Sequence, residues 1–162
     1  MFDMEYRIGQ GEDIHVYAPH RKLILCGIEI PYPLGLLGHS DADVVLHAVS
    51  DSLLGALALG DIGFYFPPSD PSIEGIDSEK IVKKCFSLIQ EKGYSVNNID
   101  IMIFVEKPKL SPYVKAMREK LSSLLNIEVG RVSIKCGTNE KMDAVGRGEA
   151  IRSTSVVLLK KE

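Results

Sequence analysis

The sequence predicts an α+β sandwich: one sheet with helices packed on one face, plus a small β-hairpin. Three observations carry that expectation. Ile81, Val82, Cys85, Leu88 and Ile89 recur at helical spacing and form one apolar face. Residues 99–105 are a β-branched run that ends before Lys107-Pro108-Lys109. Residues 132–136 and 151–159 are two more strand-like runs, flanking a glycine-rich loop. The element order is then roughly β-ββ-α-α-β-α-β-β.

Taken from the N-terminus, residues 5–8 read as a short strand entering a glycine-flanked turn, Gly9-Gln10-Gly11. Leu23-Ile24-Leu25-Cys26-Gly27 and Ile28-Glu29-Ile30 read as the two arms of a hairpin before Pro31 and Pro33. Ser40 suits a helix N-cap, with Asp41 and Asp43 in the first turn, where carboxylates complement the helix dipole. That helix runs to about residue 59 and stops at Gly60. Residues 61–77, with their prolines, glycines and serines, read as loop. A second helix covers about 78–92 and ends at Gly93. A third covers 113–125, with Val114, Met117, Leu121, Leu124 and Leu125 inward. No repeat, low-complexity tract or linker interrupts the chain, so residues 1–162 read as a single domain.

A hydrophobic content of 45% and a charged content of 25% exclude a disordered chain and a membrane resident. Residues 1–7 lack the basic start and apolar run of a secretory signal. The richest apolar stretch, residues 44–59, is broken by His47, Ser50, Asp51, Ser52 and Gly55. Cys26, Cys85 and Cys136 are scattered and odd in number, which suits reduced, mostly buried thiols in the cytoplasm. A net charge of −3 argues against broad nucleic-acid binding. It leaves room for a phosphorylated small molecule, for which Lys109, Lys135, Lys141 and Arg147 are candidate cations.

The chemistry is concentrated in Asp13-Ile14-His15, His39-Ser40-Asp41-Ala42-Asp43 and His47. Residues two apart on a strand point to the same side, so Asp13 and His15 can converge on one ion. His47, from a helix, supplies a third ligand. Two imidazoles, one carboxylate and an open fourth position describe a catalytic zinc site rather than a structural one. Alternatives stand beside each piece. His47 alone also fits a core histidine bonded to a carbonyl, and Asp43 or Asp51, at i−4 and i+4, could hold its second ring nitrogen. His39-Ser40 is either a plain capping sequence or a place where side chains and free helical N–H groups face an anion. Asp61-Ile62-Gly63 fits the exit turn of the helix. Gly146-Arg147-Gly148-Glu149 fits a tight turn with an exposed arginine, His20 a solvated loop residue, and Lys160-Lys161-Glu162 a solvated tail.

The order of these pieces is more specific than any one of them. Asp13-Ile14-His15 is followed by Gly35-Leu36-Leu37-Gly38-His39-Ser40-Asp41-Ala42-Asp43-Val44 and His47, then by residues 54–63. Phe66-Pro67, Asp70-Pro71, Pro108-Lys109-Leu110, Thr138-Asn139-Glu140-Lys141 and Gly146-Arg147-Gly148-Glu149 complete the series. Over effectively its full length the chain resembles the 2-C-methyl-D-erythritol 2,4-cyclodiphosphate synthase family of the non-mevalonate isoprenoid pathway.

The resemblance implies a ferredoxin-like topology and one cyclodiphosphate synthase domain. It implies a phosphorus–oxygen lyase that converts 4-diphosphocytidyl-2-C-methyl-D-erythritol 2-phosphate to the 2,4-cyclodiphosphate and CMP. Zinc would be held by Asp13, His15 and His47, one ion per subunit, and a second divalent ion, magnesium or manganese, by Glu140. His39 and Thr138 match the family's transition-state stabilisers, and Ser40 lies with His39 against phosphate. Asp61, Ile62 and Gly63 match the segment that holds the methylerythritol hydroxyls, and Phe66-Pro67-Pro68-Ser69-Asp70 a mobile substrate loop. Val105, Glu106, Lys107, Pro108, Lys109, Leu110 and Ser111 would line the cytidine pocket. Gly137, Thr138, Asn139 and Glu140 would touch the diphosphate, Ile14 and Ala144 would lie near substrate, and Arg147 would reach a phosphate or the cavity on a threefold axis. A cytoplasmic homotrimer with active sites between subunits follows, with neither nucleic acid nor membrane as partner. Gln10, Glu12, Ala42, Asn139 and Ala144 depart from residues frequent in the family, and none is a metal ligand. The competing readings are a zinc-dependent phosphohydrolase and a non-catalytic trimeric module that binds isoprenoid diphosphates.

Overall fold

The computed structural model describes residues 4–161. Part of the stretch read for a secretory signal, residues 1–3, and Glu162 of the expected tail lie outside the described residues. The strands are β1 (Glu5–Ala18), β2 (Leu23–Leu25), β3 (Ile28–Ile30), β4 (Gly35–Leu36), β5 (Ser95–Phe104), β6 (Val132–Gly137) and β7 (Ala150–Lys161). The helices are α1 (Val44–Ala56), α2 (Ile62–Tyr65), α3 (Ser78–Glu91), α4 (Val114–Leu125) and α5 (Asp143–Gly146). A five-stranded sheet has the order β4-β1-β7-β5-β6, and β2 and β3 form the separate hairpin.

β5 and β6 pair in parallel, whereas β7 runs antiparallel to both β1 and β5. β1 and β5 are therefore parallel, with β7 inserted between them, the split β-α-β arrangement of ferredoxin-like sheets. Helix α1 lies across β1 and β7, α4 packs on β6, and α3 packs on α1. The expected α+β sandwich is the observed fold.

Alternation along the strands sorts the two sheet faces. Ile99, Ile101, Ile103, Ile151, Val157 and Leu159 are buried under the helices. The opposite face leaves Tyr6, Ile8, Ile14, Val16 and Val156 exposed, Ile8 by 71%. Among the described residues no helix is long and apolar enough to cross a membrane.

Several boundaries move, each for a local reason. The glycines read as a turn, Gly9 and Gly11, lie inside the continuous strand β1. A Cβ at Gly9 would stand 1.9 Å from the Ser52 carbonyl oxygen, and one at Gly11 1.9 Å from that of Ala48. The pair thus serves backbone-to-backbone approach of α1 to β1. Helix α1 starts at Val44 because Asp43, not Ser40, caps it, accepting the Leu46 N–H at 3.0 Å. The buried Asp43 carboxylate also accepts the N–H groups of Cys26 (2.9 Å) and Gly27 (2.7 Å). Those two residues form the hairpin turn, with φ of 54° and 71° as a two-residue primed turn requires. Burial pushes the Asp43 carboxyl up to about 6, against the pull of its three backbone donors.

Residues 61–77 are not pure loop: they contain α2 and a 3₁₀ turn at Pro71–Ile73, both too short to show periodicity. β7 continues through Lys160 and Lys161, which pair with Tyr6 and Glu5, so this end is strand rather than tail. Lys161 Nζ lies 5.4 Å from the Tyr94 ring centroid. Cys26 and Cys85 are buried and Cys136 exposed, all three as free thiols.

The close approach predicts an asymmetry between glycines. Gly11→Ala forces the α1 backbone away and should destabilise by about 3 kcal/mol or more, the upper end of overpacking effects. Gly55→Ala, whose Cβ would lie 3.6 Å from the Gln10 carbonyl oxygen, should instead stabilise the helix by about 0.5–1 kcal/mol. Urea unfolding of the two variants checks both signs.

Candidate functional site

Asp13 and His15 project from β1 toward α1, and His47 meets them from the second turn of α1. Asp13 Oδ2 lies 2.8 Å from His15 Nε2 and 3.0 Å from His47 Nδ1, and the two ring nitrogens are 3.3 Å apart. Other atoms of the same groups are engaged outward. The Ile14 N–H donates to Asp13 Oδ1 at 2.9 Å, and His15 Nδ1 lies 2.8 Å from the Leu37 carbonyl oxygen, to which it donates. One carboxylate oxygen and one nitrogen of each ring are thereby left facing a common point. Ligands about 2.0–2.1 Å from a tetrahedral ion stand about 3.3 Å from one another, so this donor set suits one small cation. The Ile14 side chain itself lies on the opposite sheet face.

Burial alone would raise the Asp13 carboxyl, but hydrogen bonds from both imidazoles outweigh it and hold the group down at about 2. Burial would lower His15, and the Asp13 hydrogen bond and charge outweigh that too, leaving its pKa above the ordinary 6.5.

His47 Nε2 does not meet a carboxylate directly. It lies 3.0 Å from the hydroxyls of both Ser40 and Ser78. The expected partners act elsewhere: Asp43 caps α1, and Asp51 accepts the Ile62 N–H at 2.8 Å, fixing the start of α2 to α1. With Asp43 at the helix terminus, the Leu46 N–H is taken by its carboxylate.

These residues line a cavity of about 250 Å³, joined by Gly38, His39 and Ser40 on one side and by Ile62, Gly63, Phe66 and Pro68 on the other. Ile73, Ile76 and Ile81, which sequence reasoning missed, complete its apolar wall. Asp61 is exposed and caps α2 through the Phe64 N–H at 3.0 Å. Asp70 caps the following 3₁₀ turn, while Pro67 and Ser69 belong to the same connection but do not line the cavity.

A second cavity, of about 380 Å³, gathers Val105, Glu106, Pro108, Lys109, Leu110, Ser111, Gly137 and Thr138, together with the exposed thiol of Cys136. It shares no lining residue with the first. A third, of about 560 Å³, holds Lys107, Lys141 and Arg147 with Tyr32. Glu140 is exposed beside Thr138, Asn139 donates its N–H to Glu106 at 2.9 Å, and Ala144 is half-buried on α5. The four candidate cations therefore do not form one cluster. Lys135 is paired with Asp100 at 2.8 Å, and Arg147 with Glu149 at 2.8 Å. His20 is exposed, as expected. Of the departures, Glu12 pairs with Arg152 at 3.2 Å, and Ala42 adopts a φ of 59°, a conformation that favours glycine.

The model of the YgbB family matches residues 6–160. The chain is 57% identical over 155 residues to the 2-C-methyl-D-erythritol 2,4-cyclodiphosphate synthase of Brachyspira hyodysenteriae, a match covering 96% of this chain and 98% of that one. The structure of the bifunctional IspDF from Campylobacter jejuni superposes with a TM-score of 0.94 at 34% identity, covering 99% of this chain and 43% of that longer one. The CDP complex of IspF from Plasmodium falciparum superposes with a TM-score of 0.85 at 34% identity, covering 97% of each chain.

The pairing of Asp13 with His15 sets a pH dependence for metal uptake. The metal-free centre holds a proton on His15 to a higher pH than a free imidazole does, and the metal must displace it. Metal affinity should therefore fall as pH drops through a window centred above 6.5, with proton release on binding. Metal titrations in weak buffer, followed by calorimetry and a pH indicator, check both.

Proposed function

The chain belongs to the YgbB family, and from that membership we propose that it is a 2-C-methyl-D-erythritol 2,4-cyclodiphosphate synthase. It converts 4-diphosphocytidyl-2-C-methyl-D-erythritol 2-phosphate to the cyclic diphosphate and CMP. The observation that carries the reading is the convergence of Asp13, His15 and His47 on one point inside a cavity already lined by His39, Ser40, Ile62 and Gly63.

The reaction is an intramolecular phosphoryl transfer. An oxygen of the 2-phosphate attacks the β-phosphorus, and the bond from that phosphorus to the bridging oxygen breaks. That oxygen leaves with the electron pair as part of CMP. A phosphate monoester is already largely ionised near neutral pH, so little general-base work is needed. The protein's task is to fold the substrate and neutralise crowded charge. Holding the two ends of one molecule in register contributes up to roughly 7–11 kcal/mol.

Asp13, His15 and His47 would hold zinc, which when bound would supply Lewis-acid stabilisation of phosphate charge. His39, at the mouth of the same cavity, donates to the substrate's phosphates, with Ser40 beside it. Gly63 and the backbone of residues 61–62 receive the methylerythritol hydroxyls, under Phe66 and Pro68. The second cavity takes the cytidine, with Lys109 and Thr138 toward its phosphates, and Glu140 would hold a magnesium or manganese ion. The CDP complex of the Plasmodium relative supports a cytidine nucleotide as ligand.

A homotrimer with shared sites accounts for two features. The metal cavity and the nucleotide cavity have no lining residue in common, and in the trimer that the family resemblance implies, the metal half of one copy meets the nucleotide half of its neighbour. The helix-free sheet face, with Tyr6, Ile8, Ile14, Val16 and Val156 exposed, supplies an apolar surface for self-association.

Zinc-loaded protein given the substrate should release CMP and cyclic diphosphate in equal amounts. A chelator should abolish this and zinc restore it. His47→Ala should lose zinc stoichiometry and at least about 10²–10³-fold in turnover, the scale on which electrostatic stabilisers act. Free phosphate with an uncyclised alcohol would show a phosphohydrolase instead, and absence of CMP release would contradict the enzyme reading altogether.

A further inference from the structure

A histidine binds a metal only through a ring nitrogen that carries no proton. His47 turns Nδ1 toward Asp13 and His15, so its neutral ring must keep its proton on Nε2 to serve there. The two hydroxyls 3.0 Å from Nε2 are not equivalent. Ser40 Oγ accepts the Ala42 N–H, and its own proton is uncommitted, so it can either donate to the ring or accept from it. Ser78 Oγ has no such choice. Its proton goes to Asp41 Oδ1 in a short hydrogen bond, because an ionised carboxylate only accepts. What Ser78 presents to His47 is a lone pair, which requires a proton on Nε2.

Asp41 is itself held from three sides. Its Oδ2 accepts the Ser78 N–H at 3.0 Å, its Oδ1 accepts the Asp43 N–H at 3.1 Å, and its own N–H donates to the Ile76 carbonyl at 3.1 Å. Ser78 is fully buried and His47 is 7% exposed, so water does not compete for Nε2. Ile76 also lines the metal cavity, so one residue anchors the His47 relay through its carboxylate and part of the cavity wall through its backbone N–H.

We propose that Asp41 and Ser78 are positioning residues for the metal centre: the chain Asp41–Ser78–His47 fixes the imidazole tautomer that leaves Nδ1 free for the ion. This rests on the reading that Asp13, His15 and His47 hold a metal. It adds two residues, 37 positions apart, neither of which lines the metal cavity.

The test is zinc titration of the metal-free full chain against a chromophoric chelator, for wild type, Ser78→Ala and Asp41→Asn. The ring Nε2–H resonance of His47 is followed in the zinc-loaded proteins. Wild type should bind one zinc and show a slowly exchanging Nε2–H. Ser78→Ala should weaken zinc binding about 10–100-fold, the usual effect of losing a group behind a metal ligand, with a shifted or fast-exchanging resonance. Asp41→Asn keeps an acceptor for the Ser78 hydroxyl but loses the charge, and should fall between the two. Wild-type affinity and an unchanged resonance in Ser78→Ala overturn the relay. Should Ser78→Ala not fold, Asp41→Ala, which leaves the Ser78 hydroxyl free to donate, takes its place, and wild-type affinity with an unchanged resonance there overturns the relay equally. A wild type that takes up no zinc overturns the metal reading itself, an outcome distinct from failure of the relay.

Discussion

Helix α1 rests on β1 with no side chain between them at Gly9 and Gly11, and the functional geometry depends on that contact. A Cβ at either glycine would fall 1.9 Å from a carbonyl oxygen of the helix, a separation that backbone atoms do not tolerate. The approach brings His47, on the helix, within 3.0 Å of Asp13, on the strand. A centre built from adjacent rigid elements holds its ligands more closely than one built from loops. It also explains a composition that looks wasteful: two glycines in the middle of a long strand, where they weaken the strand itself.

The same economy governs the polar groups around the site. Asp13 is kept ionised despite burial, because two imidazoles stand against it. Each remaining polar atom of the three side chains has an outward partner: Ile14 N–H for the carboxylate, the Leu37 carbonyl for His15, and serine hydroxyls for His47. Asp43, one residue outside this shell, serves the fold instead. By accepting three backbone N–H groups it ties the β2–β3 hairpin to the start of α1. Neighbouring carboxylates in one motif, Asp41 and Asp43, thus do different work.

Much of this was legible in the sequence, and the failures have physical causes. The helices α3 and α4 and the strand β5 announce themselves through periodicity and β-branching, and their cores lie as expected. Asp13 and His15 could be paired from strand alternation alone, and His47 joined them through the order of the surrounding motifs. Gly9 and Gly11 were misread because a glycine pair suits a turn and a close backbone approach equally well. The cap moved from Ser40 to Asp43 because several capping residue types stand within four positions, and only the buried hairpin turn decides among them. α2 is one turn long, too short for a periodic signal. The link from Asp41 through Ser78 to His47 crosses 37 residues of chain, and no local pattern encodes it.

The proposed chemistry requires one metal ion among Asp13 Oδ2, His15 Nε2 and His47 Nδ1. Anomalous diffraction at the zinc absorption edge, from crystals of the zinc-loaded protein, tests it most directly. One strong peak per chain is expected between those three atoms, with the His47 ring bound through Nδ1 and its Nε2 still against Ser78. A peak elsewhere, no peak at full zinc loading, or a His47 ring flipped to bind through Nε2 would contradict it.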